Sequence, residues 1–245
     1  KTVLNKDRKK LSKRQGDVSV EDFKDKGYLP EGLVNYLALV GWSPEDNQEI
    51  LSMEELIQKF SFERVSKTGG IFDKDKLDWV NGHYIRSSSV ERITDMAIPY
   101  LIKADFIDRE FVQDRYEWLK LLVHTVQESL NTVSEVVNKV EFIFKDYVDI
   151  LEEDALEIIK GEQVGIVLTA IKEELNNIEE IDEEYAKGFM KIIQKATGVK
   201  GKNLFMPARV ALTGMAHGPE FVNILVLLGK ENILKRIDYV EKNYI

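Results

Sequence analysis

The chain has 245 residues, which is enough for two or three small domains with buried cores. Hydrophobic residues make up 44% of it, no low-complexity tract occurs, and no apolar run reaches the ~20 residues that span a bilayer, so we expect a folded protein without a membrane partner. The absence of cysteine excludes disulfides and cysteine-based zinc sites, and it fits a cytoplasmic location. Because the first residue is Lys1 rather than Met, we expect a piece of a longer protein.

The net charge of −9 hides two basic regions in an acidic chain. Residues 1–16 carry +6, residues 185–219 contain no acid and carry another +6, and the remainder carries −21. Lys and Arg side chains bind phosphate, whereas an acidic surface discourages non-specific adhesion to nucleic acid. The charge pattern therefore predicts two localised contacts with an anion.

The first basic region ends in a dense segment, Lys9-Lys10-Leu11-Ser12-Lys13-Arg14-Gln15-Gly16. Its cations are too closely spaced to be buried, so the pattern favours an exposed loop that could surround a multiply charged anion. Taken by itself, a segment this short is as often a disordered basic tail.

Residues that typically cap or end helices predict several helices in the next part of the chain. Ser19 is a candidate N-cap of a helix that Gly27 ends, and Pro30 is placed to start the next helix at its first position. Ser52 and Glu55 have the spacing of a capping box.

The following stretch begins with a predicted turn at Thr68-Gly69-Gly70 and a helix that Asp73 caps. Ser88 and Glu91 predict a second capping box, and Pro99 is expected to kink or end the helix that follows. Four large side chains recur at helical spacing and are expected in the core. They are Leu33, Leu37, Trp79 and Tyr84.

The rest of the chain has helical patterns throughout. Residues from Asp108 to Tyr147 predict two long helices broken near Asn131-Thr132. Further helices are predicted at about 153–160, 163–177, from the cap at Asp182 to Ala196, at Pro207–Thr213, at Pro219–Leu228 and at about 230–243. No alternating strand pattern occurs after residue 75, so the predicted fold is mainly α.

The second basic region leads into a glycine-rich stretch that has features of an RNA-binding loop. Glycines admit a nucleic-acid backbone closely, Lys and Arg meet phosphate, and Phe205 and His217 offer planar faces on which bases could stack. Pro219 is expected to place a helix N-terminus beside the loop, where free N–H groups favour an anion.

Several motifs resemble one known family. Lys10-Leu11-Ser12-Lys13-Arg14 is similar to the KMSKS signature of class I aminoacyl-tRNA synthetases, in a variant that resembles the glutamyl branch. The stretches at 28–43 and 72–85 resemble the stem-contact region of glutamyl-tRNA synthetases. The stretches at 197–214, 217–219 and 224–229 are similar to that family's anticodon-binding subdomain, so the resemblance extends from Lys10 to the end of the chain.

The resemblance implies a mainly α fold with four segments. They are a KMSKS-type loop at 1–16, a stem-contact helical region at 17–107, and an all-helical anticodon-binding domain of two helical subdomains at 108–161 and 162–245.

The function that the resemblance implies is that of the C-terminal, tRNA-binding part of a glutamate–tRNA ligase. Such an enzyme activates glutamate with ATP and transfers it to the 3′ end of tRNA(Glu) for translation; whether tRNA(Gln) is charged as well is left open. ATP and Mg²⁺ would be bound mainly by a nucleotide-binding domain with a HIGH-like motif, and none of His83, His124 and His217 lies in such a motif. The chain alone is therefore expected to be inactive, without a bound cofactor, and monomeric.

The resemblance also assigns residues to two sites. In the signature segment it gives a catalytic role to Lys10, Ser12, Lys13 and Arg14, with Lys13 also binding ATP. The residues that it implies for tRNA binding are Lys200, Lys202, Phe205, Arg209, His217, Gly218, Pro219 and Phe221.

Some of these residues could equally have a purely structural role. An aromatic residue such as Phe205 lies more often in the core, whereas RNA contact is favoured for Arg209, whose helix has an apolar face that Arg209 need not join. No metal site is expected, because the paired acids between Glu152 and Glu184 are typical of solvated helix faces. For the whole chain, a stand-alone RNA-binding module without ligase activity and a helical scaffold for protein interactions are the two alternatives.

Overall fold

The computed structural model describes residues 3–5, 7–10, 19–66 and 68–245. The chain divides into two compact units, Lys1–Asn138 and Lys139–Ile245. Thirteen α-helices and two very short strands occur among the described residues, so the mainly α fold is confirmed. The bounds of the four segments implied by the family resemblance stay a prediction.

The first unit contains two short strands and most of the shorter helices. They are β1 (Val3–Leu4), α1 (Val20–Asp25), α2 (Pro30–Leu39), α3 (Met53–Lys59), β2 (Gly70–Ile71), α4 (Lys74–Ser87), α5 (Val90–Lys103), α6 (Arg109–Asp114) and α7 (Tyr116–Gln127), with 3-10 turns at Phe62–Arg64 and Val133–Glu135. The division between the units falls inside α8 (Val136–Phe144). The second unit then contains α9 (Glu153–Ile159), α10 (Val164–Asn176), α11 (Glu183–Thr197), α12 (Lys202–Thr213) and α13 (Phe221–Tyr244).

The predicted caps are largely confirmed, because capping is local chemistry. The hydroxyl of Ser19 accepts from the N–H of Asp22, and Ser52 and Glu55 form the predicted capping box. Asp73 caps α4 through the N–H groups of Asp75 and Lys76.

The capping box predicted at Ser88 and Glu91 is wrong. Helix α4 runs on to Ser87, so Ser88 is its C-cap and donates its hydroxyl to the carbonyl of Tyr84 at 2.8 Å. Ser89 is then the first residue free to cap α5, and its hydroxyl accepts from the N–H of Arg92 at 3.3 Å.

Three predictions that involve prolines are also corrected. Pro99 does not end α5, which continues to Lys103; the proline is exposed, while the buried Ala97 and Leu101 hold the turns on either side of it. Helix α12 begins at Lys202 rather than at Pro207, because packing of the buried Leu204 and Ala208 extends it in the N-terminal direction. Helix α13 begins at Phe221, two residues after Pro219, and it is kinked at Gly229 (φ 67°, ψ 167°), where the sequence predicts one helix to end and the next to begin.

The first of the two long helices predicted between Asp108 and Tyr147 is divided into α6 and α7. The predicted break that ends it is confirmed. Asp108 caps α6, and the chain leaves helical geometry at Arg115 before α7 begins. The expected break near Asn131-Thr132 lies between α7 and α8.

The predicted turn at 68–70 includes a strand residue. Gly70 and Ile71 form β2, which pairs in parallel with β1 through Val3 and Leu4. A Cβ on Gly70 would lie 1.6 Å from the carbonyl oxygen of Val40, so only glycine allows this close approach.

One core cluster of the first unit lies between α2 and α4. Leu33 and Leu77 are buried there, and Tyr84 is half-buried. Leu37 and Trp79 are 45% and 47% exposed, so the core prediction is wrong for these two. Each lies on the same helix as a buried residue but on a neighbouring face, and spacing alone does not locate the edge of the apolar stripe.

The second unit buries a charged side chain among its helices. Arg236 on α13 is 1% exposed and donates to the carbonyl of Leu212 near the end of α12. It also donates to the carbonyls of Phe142, Ile143 and Lys145 at the end of α8. One side chain thus satisfies C-terminal carbonyls of two helices, which is the role of a C-cap.

Candidate nucleic-acid interface

The acid-free interval folds into α11, α12 and the tight turn that joins them. Gly198 ends α11 in the left-handed region at φ 72°, and its N–H donates to the carbonyl of Gln194 at 2.9 Å. The N–H of Val199 donates to the hydroxyl of Thr197 at 3.2 Å. Gly201 then enters α12 with φ 58° and ψ −139°, a backbone conformation that glycine adopts without strain.

The cations of this interval fall into two classes. Lys187 is 2.5 Å from Glu183, and Arg209 is bound to a loop, so these two already have protein partners. The other four are exposed and take part in no ion pair among the residues that the structure describes. They are Lys191, Lys195, Lys200 and Lys202.

The lysines of the acid-free interval have an ordered placement. Lys187, Lys191 and Lys195 recur every four residues along α11 and therefore lie along one side of it. Lys200 lies in the turn and Lys202 is the first residue of α12. The cations thus follow α11 to the turn and into the next helix.

The start of α12 adds backbone donors to this charge. Gly201 has no side chain to cap the helix, so the first N–H groups of α12 are left for solvent or for an anion. Phe205, one turn after Lys202, is 45% exposed, so this ring does not lie in the core, which was the alternative to its predicted contact with RNA. Leu204 and Ala208 supply the buried face of α12 instead.

Arg209 fastens the loop after α12. Its Nη1 donates to the carbonyl of Pro219 at 2.7 Å, and its guanidinium lies 5.4 Å from the centre of the Phe221 ring. Burial lowers the pKa of Arg209, although an arginine remains protonated at neutral pH. The side chain is half-buried, so Arg209 is not fully enclosed by the surrounding residues.

The loop itself presents exposed residues on a fixed base. His217 and Gly218 are exposed, Pro219 is half-buried, and Phe221 is 9% exposed. The ring of Phe221 therefore packs against the guanidinium of Arg209 and offers little surface to a base. The contacts with tRNA implied for all four residues stay predictions.

The base of this loop is held by Thr213 and Gly214. The hydroxyl of Thr213 donates to the carbonyl of Arg209 at 2.8 Å and accepts from the N–H of Met215 at 3.1 Å. Gly214 has φ 75°, and a Cβ there would lie 2.0 Å from the carbonyl oxygen of Asp149.

The signature segment can be placed only in part. Lys10 is exposed and pairs with Leu4 in an antiparallel bridge, and Asn5 closes the intervening turn through the N–H and carbonyl of Lys9. Ser12, Lys13 and Arg14 lie outside the described residues, so their predicted roles stay predictions.

Neither a metal site nor a membrane span occurs in the part of the chain that the structure describes. No group of three or more His, Asp or Glu side chains there could hold a metal ion. None of the helices described is long and apolar enough to cross a membrane.

The tRNA-binding residues implied by the family resemblance do not include Lys191 and Lys195, which lie on α11 ahead of the turn. Their four-residue spacing from Lys187 is visible in the sequence and would put all three on one side of a helix.

Two protein families match the chain. The family described as anticodon binding domain matches residues 92–240. The family described as class I tRNA synthetase (E and Q) catalytic domain matches residues 1–79.

Full-length relatives agree with both matches. The glutamate–tRNA ligase of Alkaliphilus metalliredigens is 53% identical over 243 residues, which cover 99% of this chain and 49% of the relative. The glutamate–tRNA ligase of Clostridioides difficile is 49% identical with the same coverage of both chains. The chain therefore spans about half the length of these relatives.

Solved structures support the fold. A glutamate tRNA ligase from Elizabethkingia meningosepticum, crystallised with its amino acid, superposes with a TM-score of 0.81 at 24% identity, over 100% of this chain and 51% of that one. A glutamate–tRNA synthetase from Elizabethkingia anophelis gives 0.78 at 25% identity, over 96% of this chain and 48% of that one.

Proposed function

Because the chain belongs to the glutamate–tRNA ligase family of class I aminoacyl-tRNA synthetases, we propose that it is the C-terminal, tRNA-binding half of such a ligase. In this proposal the complete enzyme activates glutamate with ATP and Mg²⁺ in the cytoplasm and transfers it to tRNA(Glu), acting as a monomer. The described residues offer no carboxylate cluster for Mg²⁺, so the metal is assigned to the nucleotide-binding part of the enzyme.

The observation that carries the proposal is the basic corner formed by α11 and α12. Four exposed lysines without ion pairs among the described residues, Lys191, Lys195, Lys200 and Lys202, follow one another there inside the region that matches anticodon-binding domains. Proteins bind RNA loops by combining cationic side chains, which contact the phosphates, with planar side chains, on which bases stack. We assign phosphate contacts to these lysines and a base contact to the exposed ring of Phe205.

The loop after α12 is assigned to the same RNA surface. Arg209 holds the carbonyl of Pro219 and so fixes His217 and Gly218, whose exposure leaves them open to an RNA base or phosphate. A guanidinium can use its remaining donors on a base edge, because it carries five N–H groups in a fixed plane.

The signature segment is assigned to the activation of glutamate. Charge develops on the pyrophosphate oxygens of ATP as the adenylate forms, and a fixed cation stabilises that charge in the transition state. We assign this role to Lys10, Lys13 and Arg14, with Ser12 as a hydrogen-bonding neighbour.

The proposal is tested by titrating this chain with three RNAs. They are the anticodon stem-loop of tRNA(Glu), the same stem-loop with one anticodon base changed, and a single strand of equal length. We expect the chain to bind the matched stem-loop most tightly, because a folded loop presents phosphates and splayed bases together. Equal binding of all three RNAs would leave only a non-specific RNA-binding module, and no binding would leave a protein scaffold; either result overturns the proposal.

A further inference from the structure

Arg236 is the one charged side chain that is buried among the residues that the structure describes. Its Nη1 donates to the carbonyl of Leu212. Its Nη2 donates to the carbonyls of Phe142, Ile143 and Lys145. The remaining N–H, on Nε, has no acceptor in the described part of the chain. A contribution to stability alone explains this residue poorly, because a buried donor without an acceptor lowers the free energy of unfolding.

The two helix ends that Arg236 holds lead into segments that touch each other. Gly214 is the C-cap of α12, and Asp149 lies shortly after the end of α8. A Cβ on Gly214 would lie 2.0 Å from the carbonyl oxygen of Asp149 and 3.3 Å from the side chain of Val148. Because the two segments leave no free space between them, a shift of either helix end would displace this junction.

The loop after α12 is anchored at both ends to the last turns of that helix. At the start of the loop, the hydroxyl of Thr213 donates to the carbonyl of Arg209 at 2.8 Å and accepts from the N–H of Met215 at 3.1 Å. At its end, Nη1 of Arg209 donates to the carbonyl of Pro219 at 2.7 Å. Ala216, between the two anchors, is 2% exposed. The loop is therefore packed against the second unit and follows the position of α12.

We propose that Arg236 is a positioning residue for recognition of the anticodon: it fixes the ends of α8 and α12, and with them the loop that presents His217 and Gly218. Arg236 is itself 1% exposed, so it acts through that loop and not by contact with RNA. Selective recognition requires the contacting groups to be held within about 0.5 Å of the productive geometry. This inference rests on the proposed function, because it takes the loop after α12 as part of the RNA surface.

The hydrogen-bonding geometry explains why this position holds an arginine. A guanidinium has five N–H donors in a fixed plane, so its two terminal nitrogens can bond carbonyls of different helices at the same time. A lysine has the same charge on a single nitrogen with three donors, and it lacks the fixed plane. The variant Arg236→Lys therefore keeps the buried charge and removes the geometry.

The first measurement is a titration of the full chain carrying Arg236→Lys. The RNAs are the anticodon stem-loop of tRNA(Glu) and the same stem-loop with one anticodon base changed. We expect the ratio of matched to mismatched affinity to fall at least about fivefold, which is the lower end of what a base contact contributes. The salt dependence of binding should remain that of the wild type, because the phosphate contacts are assigned to the lysines of α11, the turn and the start of α12.

The affinity ratio separates positioning from a loss of stability. Partial unfolding lowers the fraction of protein that is competent to bind, so it weakens both stem-loops equally and leaves their ratio constant. Val240→Ala is the matched control, since Val240 is buried one turn after Arg236 on α13. Its ratio should equal that of the wild type. An equal fall of the ratio in Val240→Ala overturns the inference, because any loss of stability would then produce the effect.

A second measurement follows the loop without RNA. Amide hydrogen exchange at Gly214 and Met215 should be severalfold faster in Arg236→Lys than in the wild type, because both N–H groups are hydrogen-bonded at the base of the loop. The amide of Gly198 is the internal control and should exchange equally in both proteins. Gly198 caps α11, which is not one of the two helices that Arg236 holds.

Gly214→Ala displaces the same junction without changing Arg236, and it serves as the second variant where Arg236→Lys does not fold. Its Cβ would overlap the carbonyl oxygen of Asp149, so the affinity ratio should fall as well. A wild-type ratio in either folded variant, or unchanged amide exchange at Met215 in Arg236→Lys, overturns the inference. Wild-type protein without any preference for the matched stem-loop overturns the proposed function instead, so the two failures are distinguishable.

Discussion

At the scale of single residues, Arg209 connects the fold of the second unit to its proposed ligand. One of its nitrogens holds the carbonyl of Pro219, and its plane covers the ring of Phe221. The same half-buried guanidinium is the arginine nearest to the exposed residues His217 and Gly218 in the chain. Its removal should therefore affect both folding and RNA recognition.

We predict that Arg209→Ala removes the preference for the glutamate anticodon, which is worth about 1–3 kcal/mol if the guanidinium reads a base edge as in DNA. The free energy of unfolding should also fall by about 1–2 kcal/mol, because a charged hydrogen bond and a cation–π contact are lost. Stem-loop titration and urea unfolding measure the two effects. Full discrimination by Arg209→Ala would assign base recognition to another residue.

Arg236, like Arg209, donates hydrogen bonds to backbone carbonyls, but its side chain is buried. Burial lowers its pKa to about 10, and the nearby Asp146 opposes that shift, so the side chain is still charged at neutral pH. Its four carbonyl partners belong to the ends of α8 and α12 and lie in the interior. A buried guanidinium without hydrogen-bond acceptors lowers the free energy of unfolding. Buried carbonyls without a donor lower it as well.

We predict that Arg236→Met lowers the free energy of unfolding by about 3 kcal/mol or more, because several buried carbonyls lose their donor. Lys235→Met is the matched control on the preceding, exposed residue and should change stability by no more than about 0.5 kcal/mol. Urea unfolding of both variants decides the point. A loss of less than about 1 kcal/mol in Arg236→Met would mean that water replaces the guanidinium at these carbonyls.

At the scale of elements, the ends of α11 and α12 depend on two glycines in different surroundings. Gly198 and Gly214 both have φ near 70°, a region that side chains with a Cβ avoid. A Cβ at Gly198 would meet nothing within 4 Å, whereas one at Gly214 would lie 2.0 Å from the carbonyl oxygen of Asp149. The pair therefore separates backbone strain from steric overlap.

We predict that Gly198→Ala lowers the free energy of unfolding by about 1 kcal/mol through backbone strain alone. Gly214→Ala should cost about 3 kcal/mol or more, because the loop at Asp149 must also move. Thermal or urea unfolding of the two variants gives the comparison. Equal losses would show that the contact with Asp149 relaxes freely and contributes nothing.

Elements can be predicted from the sequence where local chemistry decides them. Helices begin at the capping box of Ser52 and Glu55 and at the N-cap Asp73, and one ends at Gly198. Each depends on hydrogen bonds within a few residues, and these predictions are confirmed. The predictions that Pro99 ends α5 and that Pro207 begins α12 are wrong, because packing of buried residues on both sides of each proline continues the helix through it. The exposure of Trp79 and Phe205 depends on which helix face is covered, and a single sequence does not contain that information.

At the scale of the whole molecule, the proposed function rests on the distribution of charge together with the family matches. The two basic regions are visible in the sequence, and the family resemblance assigns them to ATP and to the anticodon. The structure adds which cations are available: four lysines of the second region are exposed and have no ion pair among the described residues. Of the four signature residues, only Lys10 can be located.

We predict that this chain alone catalyses no ATP–pyrophosphate exchange, with glutamate and tRNA present. A fixed cation stabilises transition-state charge only when ATP and glutamate are held beside it, and the family match to the catalytic domain ends at residue 79. The exchange rate is compared with that of buffer and of the Alkaliphilus metalliredigens ligase. Exchange above the buffer control would show that the segment from residue 1 to 79 binds nucleotide by itself.

The most direct test of the central claim is the salt dependence of binding to the tRNA(Glu) anticodon stem-loop. If the α11–α12 corner neutralises about three phosphates, log affinity should fall with log salt concentration at a slope of about −2, using about −0.7 per contact for single strands. Lys202→Ala should bring the slope to about −1.4 and weaken matched and mismatched loops alike, as loss of a phosphate contact does. Lys235→Ala, which removes an exposed lysine from α13, should leave the slope unchanged. A wild-type slope near zero, or equal slopes for wild type and Lys202→Ala, would contradict the assignment of this corner to the anticodon.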